Sequence, residues 1–213
     1  KIDWEKSKEA SPSLALPKGE SKILVTQGFI GVTSENYTTT LGREGSDYSA
    51  AIFAYLTDAG SVTIWKDVPG FLNADPKWFD PTVKLRNISY YEAIELSYYG
   101  ASVIHPKTIQ PLHKKNIPLY VNSFVSPKEE GTVINENTAS DSLVPSFIFK
   151  MNQVLISILP KDYSFIVEEN LSGIFASFSI HRVKINMMQN SALSFSVCVD
   201  FDDKKIPVLI EEL

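Results

Sequence analysis

Apolar and polar positions alternate along the chain in short blocks that predict both strands and helices. In the first two thirds, apolar blocks bounded by turn residues predict strands at Lys22–Thr26, Val62–Trp65 and Pro118–Asn122. Segments with helical spacing predict helices from Ser46 to about Asp58, from Ser89 to Gly100 and from about Pro106 to Lys115. This alternation favours an α/β sheet with crossover helices, in which ligands bind beyond the carboxyl ends of strands.

The last third of the sequence has a pattern of its own. Predicted strands lie at Met151–Leu159, Val183–Asn190 and Leu193–Asp200, and predicted helices at Glu168–His181 and Lys204–Leu213. The resulting order β-α-β-β-α predicts a ferredoxin-like module without its last strand. The polar composition around residues 129–141 predicts a linker. We therefore divide the chain into a first domain at 1–133, a linker at 134–147 and a second domain at 148–213.

Composition and charge exclude several classes of protein. The 213 residues carry a net charge of −5, which gives no basic footprint for a nucleic-acid partner. No apolar run approaches the length of a membrane span, so we expect a cytoplasmic protein with no membrane partner. The single cysteine, Cys198, is expected to be a core residue in a reducing compartment. No His, Cys and carboxylate cluster has metal-ligand spacing, so we expect no metal site.

The segment 38–50 carries the clearest chemical signal. Gly42 and Gly45 flank Arg43, and a helix begins directly afterwards at Ser46-Asp47. Glycines allow a tight turn, the helix start offers free N–H groups, and the guanidinium adds a fork of donors. The segment therefore predicts a pocket for a small anion. Taken alone, it is more typical of a capped helix after a surface turn.

Other blocks accompany this segment in a fixed order along the chain. They are Val25-Thr-Gln-Gly-Phe-Ile-Gly31, Ile64-Trp-Lys-Asp-Val-Pro-Gly70, Ala74-Asp-Pro76, Gly100-Ala-Ser-Val-Ile-His-Pro106 and Ile117-Pro-Leu-Tyr-Val-Asn-Ser123. Together they resemble an aspartokinase, a member of the amino acid kinase superfamily with a C-terminal ACT domain. The resemblance implies an α/β fold: the C-terminal part of a three-layer α/β/α kinase domain, then a βαββα ACT domain lacking its last strand.

The resemblance also implies the reaction. Aspartokinases transfer the γ-phosphate of ATP to the side-chain carboxylate of L-aspartate, giving 4-phospho-L-aspartate, the first step toward lysine, threonine and methionine. This carboxylate is already an anion at neutral pH, so the reaction requires positioning and charge neutralisation rather than a general base. ATP with Mg²⁺ is then the second substrate, and no tightly bound cofactor is expected. We expect this piece to be inactive alone.

Residue roles follow from the same resemblance. Phe29, Arg43 and Ser46 are expected to bind aspartate, and Asp47, the predicted catalytic residue, to orient the phosphate-contacting lysine of the family's opening strand. The residues matched to the nucleotide site are Lys66, Asp67, Leu72, Lys77 and Ser102.

The chain also departs from the family pattern. The opening strand with its lysine does not occur in this chain, so we expect the chain to begin inside the kinase domain. Ser102 stands where a lysine is frequent, and Lys77 replaces a common arginine. Glu44 stands where a glycine is frequent, and we expect its side chain to point to solvent.

For the second domain the resemblance implies an amino-acid effector, lysine or threonine, and a homo-oligomer formed through ACT domains. The positions matched to the effector site are Ser164, Phe165, Ile166, Ile185 and Asn186. Phe165 and Ile166 are equally typical of core residues. Two other functions stay open: an amino-acid-binding dimerisation module without catalysis, and an amino acid kinase that acts on glutamate, carbamate or a nucleotide. The attached β-α-β-β-α module weakens the latter.

Overall fold

A computed structural model describes residues 2–14, 23–100 and 103–213. The chain forms two compact units, Lys1–Phe149 (unit 1) and Lys150–Leu213 (unit 2), and each is described by itself. The elements of unit 1, in chain order, are α1 (Trp4–Ala10), β1 (Ile30–Val32), β2 (Thr38–Thr40), α2 (Gly45–Thr57), β3 (Val62–Lys66), β4 (Asn87–Ser89), α3 (Tyr90–Tyr99), α4 (Pro106–His113), β5 (Leu119–Ser123) and β6 (Thr132–Asn135). A 3₁₀ helix at Ser11–Leu14 follows α1.

The main sheet of unit 1 has the strand order β3-β5-β6-β4. β3 runs parallel to β5, while β6 is antiparallel to β5 and parallel to β4. Lys66, the last residue of β3, lies opposite Ser123, the last residue of β5. The carboxyl ends of these two strands therefore meet at one edge of the sheet, where α/β proteins bind ligands. The strands β1 and β2 form a separate antiparallel hairpin.

Helix α2 runs over the residues that the sequence predicts. Alanines at positions 51 and 54 are buried and allow this helix to pack closely on the core. Asp58 adopts a left-handed conformation and ends the helix, with its N–H bonded to the carbonyl of Ala54. The helix end that the sequence predicts at about Asp58 therefore lies at the observed cap.

Ser89, the N-cap of helix α3, and Glu92 have the spacing of a capping box, in which each side chain bonds to the N–H of the other residue, and half of this box forms. The Ser89 hydroxyl accepts a hydrogen bond of 3.0 Å from the N–H of Glu92. The reciprocal bond is not made by Glu92, because the N–H of Ser89 donates instead to Asp141 Oδ1 at 2.8 Å. Burial and the nearby carboxylates of Asp141 and Glu95 raise the pKa of Glu92. Asp141 thus takes the capping role that the spacing assigns to Glu92.

Two predictions for unit 1 are wrong. Within the predicted strand Lys22–Thr26, the described residues 23–26 form no strand, because their side chains are all exposed and no described strand pairs with them. The predicted linker at 134–147 contains part of β6, in which Thr132 and Ile134 are buried in the sheet. A four-residue strand with a single apolar inward position has a polar composition, and the boundary between the units falls after Phe149 instead.

Unit 2 has the predicted element order. Its elements are β7 (Gln153–Ile158), α5 (Glu168–Ile180), β8 (Ile185–Asn190), β9 (Phe195–Asp200) and α6 (Lys205–Glu212). The sheet order is β7-β9-β8 with both pairs antiparallel, so β7 and β8 are parallel and β9 lies between them. This is the split βαβ arrangement of ferredoxin-like modules.

One face of the unit 2 sheet carries the hydrophobic core. Phe195, Val197 and Val199 of β9 are buried there together with Phe178 of α5 and Leu209 of α6. Successive strand residues point to opposite faces, so Cys198 lies on the other face and is only partly buried. The prediction that Cys198 is a core residue is therefore wrong. Among the described residues of both units, no helix is long and apolar enough to span a membrane.

Candidate functional site

The N-terminus of α2 begins in an unusual conformation. The turn before it contains Gly42 at φ 81° and the N-cap residue Glu44 at φ 53°. The Glu44 side chain makes no capping hydrogen bond, so the N–H groups of Ser46 and Asp47 receive no side-chain cap. Uncapped N–H groups at the positive end of a helix bind anions. This part of the site has the form that the segment 38–50 predicts.

Phe29 and Gly28 lie directly on this first turn. A side chain added to Gly45 would place its Cβ 2.6 Å from Phe29 Cδ2, so the ring occupies the space that glycine leaves free. A Cβ at Gly28 would lie 3.1 Å from the Cα of Ser46. Both glycines therefore permit a close approach of the 28–29 segment to the helix start.

Ser49 fixes this approach and was missed by sequence reasoning. Its hydroxyl accepts a 2.8 Å hydrogen bond from the N–H of Phe29 and donates one of 2.9 Å to the carbonyl of Gly45. Phe29 has a left-handed φ of 74°, an uncommon conformation for an aromatic residue. A serine one turn into a helix is too common in sequences to signal such a contact.

Lys66, at the carboxyl end of β3, contacts the first turn of α2. Its Nζ lies 2.7 Å from Asp47 Oδ2 and 3.9 Å from Glu44 Oε2. The side chains are largely buried, with exposed fractions of 19% for Lys66, 14% for Asp47 and 19% for Glu44. Glu44 Oε2 is buried and accepts no hydrogen bond from the described part of the chain. We call these three residues the Lys66 cluster.

Two residues of the Lys66 cluster, Glu44 and Asp47, differ from what the sequence predicts. Glu44 does not point to solvent, because the left-handed turn at its own position directs its carboxylate toward Lys66. Asp47, expected to orient a lysine from the family's opening strand, is paired with Lys66. One cation faces two carboxylates, so the cluster has an excess negative charge next to a helix N-terminus.

Arg43 lies between Gly42 and Glu44 and is exposed. It forms no ion pair or hydrogen bond with any other described residue, so its guanidinium is available to a ligand. Ser46, the second residue of α2, is also exposed. The predicted aspartate-binding residues Arg43 and Ser46 therefore lie on one turn beside Lys66, and Phe29 packs against that turn.

The other predicted nucleotide residues follow β3. Asp67 and Lys77 are exposed, and Leu72 forms an isolated antiparallel bridge with Lys84. Ser102 lies outside the described residues. Among the described residues of this group, only Lys66 contacts the predicted aspartate-binding turn.

Thr132 holds the start of the loop that carries Leu72, and sequence reasoning missed it. Its buried hydroxyl accepts a 2.8 Å hydrogen bond from the N–H of Phe71 and donates one of 2.7 Å to the carbonyl of Leu85. A Cβ at Gly70, which has a φ of 122°, would lie 2.6 Å from Thr132 Oγ1. Because Thr132 lies in a segment of polar composition, no pattern in the sequence marks it as buried.

In unit 2 the five predicted effector residues differ in their surroundings. Ser164 and Phe165 are exposed, while Ile166 is buried in the core and Ile185 packs against that core. The Ile166 side chain is therefore unavailable to an effector, because it packs inside the module. Its N–H donates to the carbonyl of Ala192 at 3.0 Å.

Asn186 belongs to a polar network on the open face of the unit 2 sheet. Its amide group donates to Gln153 Oε1 at 2.7 Å and to Asp200 Oδ1 at 3.0 Å, and its oxygen accepts from Lys150 Nζ at 2.9 Å. Gln153 Nε2 also donates to Asp200 Oδ1 at 2.6 Å, and Lys150 Nζ lies 2.8 Å from the same oxygen. We call these four residues the Asp200 cluster.

The Asp200 cluster changes the acidity of its central carboxyl group. Hydrogen bonds from Lys150 and then from Gln153 lower the pKa of Asp200 to about 2. Asn186 has both amide protons and its oxygen engaged within unit 2, so it could contact an effector only by breaking these bonds. Across the described ranges of both units, no group of three or more His, Cys, Asp or Glu residues could hold a metal ion.

Comparison with known proteins identifies relatives for the whole chain. The model of the amino acid kinase family matches residues 9–123. The chain is 38% identical over 198 residues to the chloroplastic bifunctional aspartokinase/homoserine dehydrogenase 2 of Zea mays, which covers 91% of this chain and 22% of that protein. It is 32% identical over 189 residues to lysine-sensitive aspartokinase 3 of Escherichia coli K12, covering 87% and 41%.

Solved structures give the same relationship. Aspartokinase III of E. coli in complex with lysine and aspartate matches all of this chain and 48% of its own, with a TM-score of 0.82 and 30% identity. The aspartate kinase of Clostridium acetobutylicum matches 98% of this chain and 48% of its own, with a TM-score of 0.81 and 28% identity. These matches confirm the aspartokinase resemblance and the predicted fold class. The chain spans less than half the length of each of these relatives.

Proposed function

The chain belongs to the amino acid kinase family, and we propose that the complete protein is an aspartate kinase. It transfers the γ-phosphate of ATP to the side-chain carboxylate of L-aspartate. Two kinds of support combine here. The relatives over about nine tenths of the chain are named aspartokinases, and the described residues form an anion-binding helix start beside a paired lysine.

The contact between Lys66 and Asp47 is the single observation that carries the proposal. It joins the turn matched to aspartate binding with the carboxyl end of the strand matched to nucleotide binding. Phosphoryl transfer requires these two sites to be neighbours, because the acceptor oxygen must reach the γ-phosphate. A surface turn with no binding role would not need a buried lysine at this position.

Each residue of the turn then has a role that its chemistry supports. Arg43 binds a carboxylate of aspartate with its forked donors, Ser46 adds a hydroxyl, and the Phe29 ring forms a wall. Lys66 neutralises phosphate charge as donor and acceptor anions approach one another. Asp47 holds Lys66 in place, so it acts as a positioning residue in this scheme.

The nucleotide binds along the segment that follows β3. Asp67, Leu72 and Lys77 contact the adenosine part and the phosphates of ATP, with Ser102 completing the group. ATP enters as its magnesium complex, whose ion keeps most of its coordinating waters. In this scheme the ion arrives with the nucleotide, and the described residues supply no dedicated metal site.

Unit 2 serves as a regulatory ACT domain that binds an end-product amino acid. Ser164 and Phe165 are its exposed candidates for effector contact, and the E. coli aspartokinase III structure is a complex with lysine. Oligomerisation through ACT domains and a place at the first step of lysine, threonine and methionine synthesis complete the proposal. Isothermal titration with lysine and threonine distinguishes the two effectors.

The test is an assay of the complete protein with ATP and L-aspartate, in which hydroxylamine traps the acyl phosphate. Arg43→Ala is expected to lower kcat/KM for aspartate about 100-fold, because a charge-assisted contact is lost, while KM for ATP changes less than about threefold. Glutamate, carbamate and a nucleoside monophosphate are tested as acceptors beside aspartate.

Arg86→Ala is the matched control, because Arg86 is exposed in the same unit and pairs with Glu130 at 3.7 Å. It should leave both kinetic constants unchanged. If Arg43→Ala has unaltered kinetics for aspartate, or if another acceptor is preferred, the proposal is wrong. Heat with lysine or threonine but no turnover of any acceptor would favour the binding module instead.

A further inference from the structure

The loop between β3 and β4 folds back on itself before it enters the sheet. Leu72 pairs with Lys84, and the N–H of Leu85 bonds to the carbonyl of Phe71 at 2.9 Å. Asn73 closes the next rung, since its N–H bonds to the carbonyl of Val83 and its Oδ1 accepts from the N–H of Val83 at 2.7 Å. The loop at 71–85 therefore has a defined shape, although it contains little regular secondary structure.

Asn73 also connects this loop to the last residues of unit 1. Its Nδ2 donates to the carbonyl of Pro145 at 3.2 Å, and its own carbonyl accepts a 2.7 Å bond from the N–H of Phe147. Two polar groups of Asn73 thus bond within the loop, and the other two hold it to a segment about 72 positions further along the chain. A mere turn residue would bond only within the loop.

Aromatic rings extend the same connection. Trp78 stacks on Phe149 with ring centroids 6.1 Å apart, and Phe79 stacks on Phe147 at 5.7 Å. Phe79 also meets Phe149 edge to face at 5.8 Å. Stacked and edge-to-face pairs at these distances are favourable beyond the area that they bury. We call the segment 145–149 the exit segment.

The rings of the exit segment are half-exposed, so packing of the core does not explain their contacts. Phe149 is 57% exposed and Phe147 is 50% exposed. Their partners Trp78 and Phe79 directly follow Lys77, which is matched to the nucleotide site. The contacts therefore act on the shape of the loop rather than on the core of unit 1.

We propose that Asn73, Phe147 and Phe149 are positioning residues for the nucleotide: the exit segment holds the loop at 71–85 in the shape that receives ATP. The inference rests on the proposed function, which assigns Leu72 and Lys77 to nucleotide binding. It adds three residues that touch no substrate themselves. Loss of the ring contacts leaves the loop free to move and weakens ATP binding without changing the aspartate-binding turn.

Kinetics of the complete protein test this inference. Phe149→Ala is expected to raise KM for ATP about 3- to 10-fold, the range that loss of such ring contacts implies. KM for aspartate and kcat at saturating ATP should stay within about twofold. Phe149→Tyr retains an aromatic ring and should restore the ATP constant, which a purely structural loss elsewhere would not do.

Tyr91→Ala is the matched control, because Tyr91 is a 71% exposed aromatic residue of unit 1 without a ring contact in the described part of the chain. It should leave KM for ATP unchanged. Binding of MgADP to the complete protein is measured separately by isothermal titration calorimetry. Phe149→Ala should shift this titration to higher concentration. Phe149→Leu replaces Phe149→Ala if the latter does not fold.

The outcomes separate this inference from the proposed function. If the unaltered protein neither binds MgADP nor phosphorylates aspartate, the proposed function fails and this inference fails with it. If the unaltered protein is active and Phe149→Ala leaves KM for ATP within about twofold, only the positioning role is overturned. A variant whose kcat falls and whose KM for aspartate rises together with its KM for ATP also contradicts it.

Discussion

The Lys66 cluster of unit 1 and the Asp200 cluster of unit 2 contain similar side chains in opposite situations. In the first, a largely buried lysine faces two carboxylates, and Glu44 Oε2 accepts no hydrogen bond from the described residues. In the second, an exposed lysine, two amides and a carboxylate bond to one another. Both lie beside residues that the sequence assigns to ligands.

The difference concerns which polar groups are left for a ligand. The Asp200 cluster uses its donors and acceptors internally, so it fixes the end of the unit 2 sheet. The turn beside the Lys66 cluster leaves a guanidinium and helix N–H groups available, and Glu44 Oε2 stays buried without a hydrogen bond from the described residues. Buried polar groups without partners are costly, and they persist where a ligand completes them. Incomplete pairing therefore distinguishes the proposed binding site from the Asp200 cluster.

The largest effect expected from this comparison is on stability at Lys66. Lys66→Met leaves two buried carboxylates without a cation and should lower the free energy of unfolding of unit 1 by about 3 kcal/mol. Urea denaturation measures the change. The double variant with Asp47→Asn should recover part of the loss, because one of the two charges is then removed. A loss below about 1 kcal/mol would show that the cluster is effectively solvated.

An increase in the free energy of unfolding is expected from a substitution at Glu44. Glu44→Gly should stabilise unit 1 by about 1 kcal/mol, because glycine adopts the left-handed conformation without strain and the excess negative charge of the Lys66 cluster disappears. The control is Glu44→Ala, which removes the carboxylate but keeps the strained backbone. Thermal unfolding ranks the three proteins. If alanine stabilises as much as glycine, backbone strain is not the cause.

The Asp200 cluster predicts a modest dependence of stability on pH. The pKa of Asp200 is lowered to about 2, so its contribution is present above the unfolded value near 4 and is lost as pH falls through about 2. Because the side chain is more than half exposed, solvent screening keeps the effect below about 1 kcal/mol. Unfolding curves of the unaltered chain and Asp200→Asn at pH 2 to 5 measure it, and parallel curves would contradict the prediction.

The smallest effect is expected at Lys150. Lys150→Met should cost about 0.5 kcal/mol, as for other exposed ion pairs, and the cost should disappear in high salt. The same measurement as for Lys66→Met applies, so the two lysines are compared directly. Equal losses for the two variants would remove the distinction between a binding cluster and a structural one.

The elements that the sequence predicted well are those with long and regular patterns. Helix α2 and the β-α-β-β-α order of unit 2 were predicted because many residues contribute to each periodicity. The short strands β1, β2, β4 and β6 were missed, since three or four residues carry almost no periodic signal. The exposed stretch at 23–26 shows the reverse error: the apolar run Ile23-Leu24-Val25 is typical of a strand, but a strand also needs a neighbour.

The residues of the candidate site also differ in how well the sequence predicts them. The turn around Arg43 and Ser46 could be predicted because glycines and a helix start leave a local signature. The pairing of Lys66 with Asp47 and Glu44 could not, because it depends on where β3 ends relative to α2. Ser49, Asn73 and Thr132 share this property: each bonds to backbone groups that only the folded chain brings near.

Thr132 also restricts how this protein can vary among species. Its hydroxyl must donate to the carbonyl of Leu85 and accept from the N–H of Phe71, and Gly70 leaves just enough room for that oxygen. Only serine and threonine combine both functions at this size, so we expect these two amino acids to alternate at position 132. Relatives with serine or threonine at position 132 should also have glycine at position 70, because a Cβ there would collide with the hydroxyl. We therefore expect the two positions to vary together.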